Sequence, residues 1–327
     1  MYTQFFGLTK APFSLTPDQD FLYLSEQHKD ALSSLKYGIL QQSGFSVLTG
    51  EIGSGKSTLL RNLVNDLDST CEVGVITNTH ASFGHLLEWV LCAFNLKNVA
   101  DSEAERYQQF CGFIAKQKLK NRRAVLVIDE AQNLAISTLE ELRLLSNLND
   151  GQETTLQIIL CGQTELLKKL NDPELTQFAQ RIAIEYHLNP LNHEETARYI
   201  AHRLKVAGAQ SGIFSPQALL AVYQHSGGIP RVINNIADMA MVFAFANDSK
   251  VEYETVMEVV NQRRTGGIIK PSSSTGSNVE SISKNRGLKP TSQALVKRPK
   301  TELVSLSLIT SYPGVQSISR IAANADS

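Results

Sequence analysis

The run Gly50-Glu51-Ile52-Gly53-Ser54-Gly55-Lys56-Ser57, with Thr58 behind it, has the spacing G-x-x-x-x-G-K-[ST] and constrains this chain more than any other stretch. Phe45-Ser46-Val47-Leu48-Thr49 before it is short, apolar and β-branched, as a buried strand is. Leu59, Leu60, Leu63 and Leu67 after it recur at helical spacing. A loop that joins a strand to a helix in this way can wrap its backbone N–H groups around a phosphate, aided by the positive end of the new helix. Lys56 is then the cation for the β- and γ-phosphates, and the Ser57 hydroxyl is a ligand for Mg²⁺. ATP with Mg²⁺ is the expected ligand.

A second chemical signal comes 70 residues on. Ala124-Val125-Leu126-Val127-Ile128 is a continuous apolar run, suited to a parallel strand covered on both faces, and it ends in Asp129-Glu130. Acids at the C-terminal end of such a strand stand where open α/β sheets bind ligands. Asp129 is expected to hold Mg²⁺ through water, and Glu130 to act as general base on the attacking water. A further apolar strand, Leu156–Gly162, ends at Gln163, a polar residue at the same level of the sheet and a candidate sensor of the γ-phosphate. With Val73–Thr77 as another strand and helical stretches through 83–94, 104–119 and Leu139–Leu145, the fold class is α/β: a doubly wound, largely parallel sheet of P-loop NTPase type.

The flanks are of different character. Residues 1–24 are aromatic and proline-punctuated, from Tyr2, Phe5 and Phe6 to Phe21 and Tyr23; they form an arm expected to pack over the main domain. Phe21 or Tyr23 is a candidate to border a nucleotide base; the alternative is that the aromatics only anchor the arm. A helix starts at Ser25 as N-cap, and His28 on its first turn, without a visible partner, reads as a solvated surface residue. The nucleotide-binding domain is expected to span 25–190. From 191 to 264 the pattern is wholly helical: Asn192 with Glu195 forms a capping box, Ser215-Pro216 opens a second helix, and Gly227-Gly228-Ile229-Pro230-Arg231 breaks the chain before a third. Four short helices after such a sheet make a lid domain. The last segment, 265–327, is rich in Ser and Thr and carries eight Lys/Arg against three Asp/Glu in a chain of net charge −1; it reads as a disordered basic tail.

Cys71, Cys92, Cys111 and Cys161 lack metal spacing and lie in apolar surroundings, so buried free thiols in a reducing compartment are expected. No basic start leads into an apolar run, and no stretch approaches 18 apolar residues, so the expectation is a cytoplasmic protein without signal peptide or transmembrane segment.

With loop, acidic strand and helical lid together, the chain resembles the AAA+ ATPases. Tyr2…Phe5-Phe6-Gly7-Leu8…Pro12-Phe13…Thr16-Pro17-Asp18…Phe21-Leu22-Tyr23 and His28…Ala31-Leu32…Leu35…Tyr37-Gly38 are similar to the opening of the secretion ATPases related to ExeA and GspA. Asp129-Glu130-Ala131-Gln132 and Gly162-Gln163 continue the likeness, which covers roughly residues 1–264. Secretion members of this group often continue into a membrane helix and a peptidoglycan-binding module, whereas this sequence does not, so the resemblance points toward its MSHA-pilus type. It implies an ATPase that assembles with itself, in a ring or other homo-oligomer, and serves pilus or secretion assembly proteins at the inner membrane. It also implies two further residues: Arg181, after the last sheet strand, as an arginine finger for a neighbouring subunit, and Arg231 as a second sensor that brings the lid onto the γ-phosphate. Two alternatives stand beside this reading. One is an ATPase of an exopolysaccharide or exosortase locus. The other is a DNA-acting ATPase of the transposition-regulator type, favoured by the basic tail and disfavoured by the lack of aromatic–basic interleaving in the core.

Overall fold

A computed structural model describes residues 2–16, 18–77, 85–96, 102–147, 156–210 and 212–266. The basic tail expected over 265–327 lies outside the described residues from 267 on, as do Phe83, Pro17 and the apolar stretch 303–309, while residues 265 and 266 continue the last helix.

The arm begins with a short helix, α1 (Tyr2–Phe5), and a 3₁₀ turn over Gln19–Phe21. Helix α2 (Glu26–Leu40) follows, capped as expected: Ser25 Oγ accepts the His28 N–H. Strand β1 (Phe45–Gly50), the phosphate loop and α3 (Lys56–Asp66) come next, then β2 (Cys71–Ile76), α4 (Leu86–Ala93) and α5 (Glu103–Leu119). Strand β3 (Arg123–Ile128) leads through a 3₁₀ turn to α6 (Ile136–Leu145), and β4 (Leu156–Gly162) to α7 (Thr164–Leu170) and α8 (Thr176–Ala179). A fifth strand, β5 (Ile182–Leu188), closes the α/β part. Helices α9 (His193–Val206), α10 (Pro216–Ser226), α11 (Pro230–Ala246) and α12 (Tyr253–Gly266) then form a bundle.

The sheet is parallel throughout, with strand order β2-β3-β4-β1-β5. Alternating side chains fill its two faces, as period-two geometry requires. Val47, Leu126, Ile128, Ile158 and Leu160 pack with Leu91, Phe110, Leu139 and Phe178 on one side. Leu48, Val125, Val127, Ile159 and Cys161 pack with Leu35, Leu59 and Leu63 on the other. The phosphate loop thus leaves the sheet between two covered faces. The register sets Thr49 beside Gly162 and Ile128 beside Leu160, so β1 and β4 end side by side and β3 ends shortly before them, ahead of Asp129 and Glu130.

The arm packs mainly on the bundle, with Leu24 at its end against the cluster on one face of the sheet. Leu8, Phe13 and Phe21 share one apolar cluster with Tyr199, Ile200, Leu204, Phe214, Ile236 and Ala240 of the bundle. Polar anchors follow the same route: Tyr2 Oη donates to Asp238 Oδ1 at 2.6 Å, and the Thr9 N–H to the Ala207 carbonyl at 2.8 Å. The sheet also has a strand that the sequence pattern does not predict. β5 pairs with β1 as an edge strand, and its mixed, partly exposed composition lacks the apolar run that marks β3 and β4. Arg181 consequently stands before the last strand, not after it. Among the cysteines, all free, Cys161 is buried but Cys92 is exposed, because α4 turns it outward from the Val90 and Leu91 side. No described helix is long and apolar enough to cross a membrane.

Candidate nucleotide site

The phosphate loop is a turn built on two glycines. Gly53 has φ +84° and Gly55 φ +103°, both in the region that side chains disfavour. A Cβ on Gly53 would stand 2.6 Å from the Arg231 Cβ, and one on Gly55 3.0 Å from His28 Nε2. The loop therefore needs these glycines for its backbone and for the neighbours pressed against it. Lys56 is 7% exposed, and its Nζ donates to the carbonyls of Gly50 and Glu51, both at 2.9 Å. That leaves a buried ammonium inside its own loop with no carboxylate among its hydrogen-bond partners. Ser54 Oγ is buried with no hydrogen-bond partner among the described residues.

A cleft of about 420 Å³ opens over the loop. Ile52 through Thr58 form its floor, Glu130 and Gln163 one wall, and Arg231 with Pro230 and Asn234 of α11 the opposite wall. The arm adds Leu15, Thr16, Phe21, Leu22 and Tyr23, α2 adds His28, and Tyr199 and Arg203 of α9 line it too, with Leu191. Of the residues expected at the site, Ile52, Gly53, Ser54, Gly55, Lys56, Ser57, Thr58, Glu130, Gln163 and Arg231 line this one cleft. Gly50 and Glu51 lead into it and hold Lys56. Asp129 stands beside Glu130, its Oδ1 accepting the Glu130 N–H at 2.9 Å. Arg181 lies elsewhere: it is exposed and donates to Ser146 Oγ at 3.1 Å and to Asn147 Oδ1.

Glu130 is held by strained backbone and by two glutamines. Its φ is +54°, a left-handed conformation that costs a non-glycine residue on the order of 1 kcal/mol or more. Gln132 Nε2 donates to Glu130 Oε2 at 2.6 Å and Gln163 Nε2 to the same oxygen at 3.2 Å. Gln132 Oε1 in turn accepts the Gln163 N–H at 3.1 Å. The three residues form a closed triangle across the ends of β3 and β4, two edges between side chains and one from the Gln163 backbone.

Three residues that sequence reasoning missed belong to this region. Gln132 fixes Glu130. Arg203 is buried, donates to the carbonyls of Pro12 and Ser14 and to Tyr199 Oη, and lies 5.0 Å over the Phe21 ring, tying the arm to α9. His28, expected in solvent, is 6% exposed. Its Nδ1 is 2.7 Å from Ser25 Oγ and its Nε2 3.2 Å from the Ser54 carbonyl. Burial pushes its pKa below the ordinary 6.5, against the opposing pull of the Ser54 carbonyl and Glu195. The expectation failed because its partner lies 26 residues away and no local pattern reveals it.

The donor set fits magnesium nucleotide: a buried ammonium held by backbone carbonyls, a buried hydroxyl with no hydrogen-bond partner among the described residues, a left-handed glycine cradle, and Ser57 and Asp129 as oxygen ligands of the kind Mg²⁺ takes. Comparison with known proteins agrees in class. The family described as AAA domain matches residues 39–170. General secretion pathway protein A of Aeromonas hydrophila is 42% identical over 250 residues, 76% of this chain and 46% of that protein, so the match spans about half of that relative's length. Among solved structures, the ADP-bound ORC2 protein of Aeropyrum pernix superposes with TM-score 0.56 at 15% identity, covering 79% of this chain and 74% of that one. Cdc6p of Pyrobaculum aerophilum gives 0.57 at 16%, covering 76% and 69%. Residues 39–170 thus match the AAA domain family, and the fold that carries the cleft is the α/β AAA fold.

Proposed function

We propose that the protein hydrolyses ATP in this cleft and works as an assembly of its own copies in the building of a secretion machine, of which a type IV, MSHA-like pilus is the form we favour. The observation that carries the chemistry is the triangle of Glu130, Gln132 and Gln163 on the wall of a cleft floored by Lys56. In this reading the N–H groups of the loop and the Lys56 ammonium bind the β- and γ-phosphates, Lys56 giving up its contacts to the Gly50 and Glu51 carbonyls. Mg²⁺, when bound, neutralises phosphate charge, with Ser57 and Asp129 to hold it. Glu130 takes the proton from the attacking water, and Gln163 orients that water or senses the γ-phosphate.

The helical bundle acts as a lid. Its α11 begins against the loop, where the Arg231 N–H donates to the Gly53 carbonyl at 3.2 Å, so a phosphate-driven shift of the loop reaches the bundle directly. Arg231 is the cation on that wall. Arg181, outside the cleft, serves a neighbouring subunit's cleft as arginine finger, which makes hydrolysis depend on assembly. The likeness to a secretion-pathway protein supports the cellular role, and within that role the pilus type is the form we favour. Such a protein works in the cytoplasm, peripheral to the inner membrane, with assembly proteins there as partners.

The test is phosphate release from Mg·ATP by the purified chain over a range of protein concentrations, with ADP affinity measured by calorimetry. Turnover that rises with concentration, and loss of binding in Lys56→Ala, are expected. A wild-type chain that neither binds ADP nor releases phosphate contradicts the reading.

A further inference from the structure

Three hydrogen bonds run in series from helix α2 to the phosphate loop. The His28 N–H donates to Ser25 Oγ at 3.4 Å, Ser25 Oγ meets His28 Nδ1 at 2.7 Å, and His28 Nε2 meets the Ser54 carbonyl at 3.2 Å. A carbonyl only accepts, so Nε2 carries the proton; Nδ1 is then the acceptor for the Ser25 hydroxyl. Each donor and acceptor in the series has one partner, and the imidazole is neutral. Ser25 and His28 are both buried, at 2% and 6% exposure, so the arrangement is shielded from competing water.

What this does to the loop follows from peptide geometry. A trans peptide unit is planar, with its C=O and N–H directed oppositely. Holding the Ser54 carbonyl on the His28 side therefore directs the Gly55 N–H away from His28. Arg231 grips the adjoining unit: its N–H donates to the Gly53 carbonyl at 3.2 Å. Two consecutive carbonyls of the loop are thus fixed from outside, one by α2 and one by α11, while Gly55 at φ +103° leaves room for the imidazole where a Cβ would stand 3.0 Å from Nε2.

We infer that His28 is a positioning residue for nucleotide binding: by holding the Ser54 carbonyl it pre-sets the 54–55 peptide so that the Gly55 N–H is presented to a phosphate before the ligand arrives. The inference rests on the reading of the loop as a phosphate site. It puts a determinant of affinity on a helix that begins before residue 39, ahead of the matched AAA domain. A pre-set donor needs no reorganisation on binding, which is where preorganisation gains affinity.

The experiment compares Mg·ADP binding, by calorimetry on the full chain, in wild type, His28→Gln, His28→Phe and Lys56→Ala, with thermal unfolding of each. Glutamine retains an N–H for the Ser54 carbonyl; phenylalanine fills the ring's space without one. Loss of one such hydrogen bond is worth roughly three- to tenfold in affinity. The expected order is wild type and His28→Gln within about twofold of each other, and His28→Phe weaker by about three- to tenfold, whatever the order of their unfolding midpoints. If phenylalanine prevents folding, His28→Met replaces it with the same expectation. Equal affinity of His28→Phe and wild type overturns the inference, as does an equal loss in both His28 variants, which would mean that only the ring's shape matters. Failure of wild type itself to bind, with Lys56→Ala indistinguishable from it, removes the phosphate-site reading and this inference with it.

Discussion

Gln163 donates its side-chain amide to Glu130 Oε2 at 3.2 Å across 33 residues of chain, joining the ends of two adjacent strands. This contact, doubled by Gln132 at 2.6 Å, sets where the carboxylate points. Replacing Gln132 by leucine removes the shorter of the two bonds while keeping the bulk. The expected outcome is a fall in kcat by a factor on the order of 10 to 100, since small misplacements of catalytic groups are costly. ADP affinity should be unchanged within twofold of wild type, because Gln132 is not among the residues lining the cleft. Steady-state phosphate release beside calorimetry checks both halves.

The arm and the bundle share a core, so they should unfold as one. Phe13 is 1% exposed and packs against Phe214 with ring centroids 6.0 Å apart. Phe13→Ala is expected to cost about 3–5 kcal/mol, the range for truncating a buried aromatic residue. Denaturant unfolding followed by two probes, one in the arm and one in α11, should show coincident transitions. An arm transition well before the bundle's would mean that the arm is only laid on the surface.

His28 gives a pH signature. Its pKa in the folded chain lies below the ordinary 6.5, with burial the first cause. Above that ordinary value the ring is neutral folded and unfolded and contributes no pH dependence. As pH falls below it, the unfolded chain binds the proton first, so stability declines until the folded pKa is reached. Glu195, the carboxylate that acts on the ring, opposes this and reduces the slope. Unfolding free energies between pH 7.5 and 5 should therefore fall more steeply in wild type than in His28→Gln. Parallel curves would show that His28 protonates equally in both states.

The loop, the strand before it, the helix after it and the acids ending β3 were all legible because each is a local pattern: an apolar run, a helical spacing, a fixed motif. The capping box of Asn192 with Glu195 and the Ser215 cap were legible for the same reason. β5 was not, since Ile182–Leu188 is an edge strand with only Leu188 buried and no continuous apolar run. His28 and Gln132 escaped because each has a partner brought in by the fold, the Ser54 carbonyl for one and the Gln163 N–H for the other. Arg203 looked like any charged residue of an amphipathic helix; only the arm folding back over α9 buries it. Cys92 erred the other way, an apolar neighbourhood in sequence that faces outward in space.

Arg181 tests assembly. Its hydrogen bonds to Ser146 and Asn147 hold it on the surface, outside its own cleft. Arg181→Ala should bind ADP normally and turn over slowly at every protein concentration. An arginine supplied in trans is worth on the order of 10³–10⁵ in rate in other phosphate-loop enzymes. Mixing Arg181→Ala with Lys56→Ala should restore part of the activity, because one variant keeps the cleft and the other the arginine. A mixture as slow as its components would leave Arg181 as a surface residue that only links α8 to the end of α6.

The most direct measurement is phosphate release from Mg·ATP by Glu130→Gln against wild type, with ADP affinity measured on the same preparations. The amide cannot take a proton from water, and a general base contributes about 10²–10⁴ in rate. The account predicts a loss of at least about a hundredfold in kcat with ADP affinity within twofold of wild type. A Glu130→Gln variant that turns ATP over at the wild-type rate would contradict it.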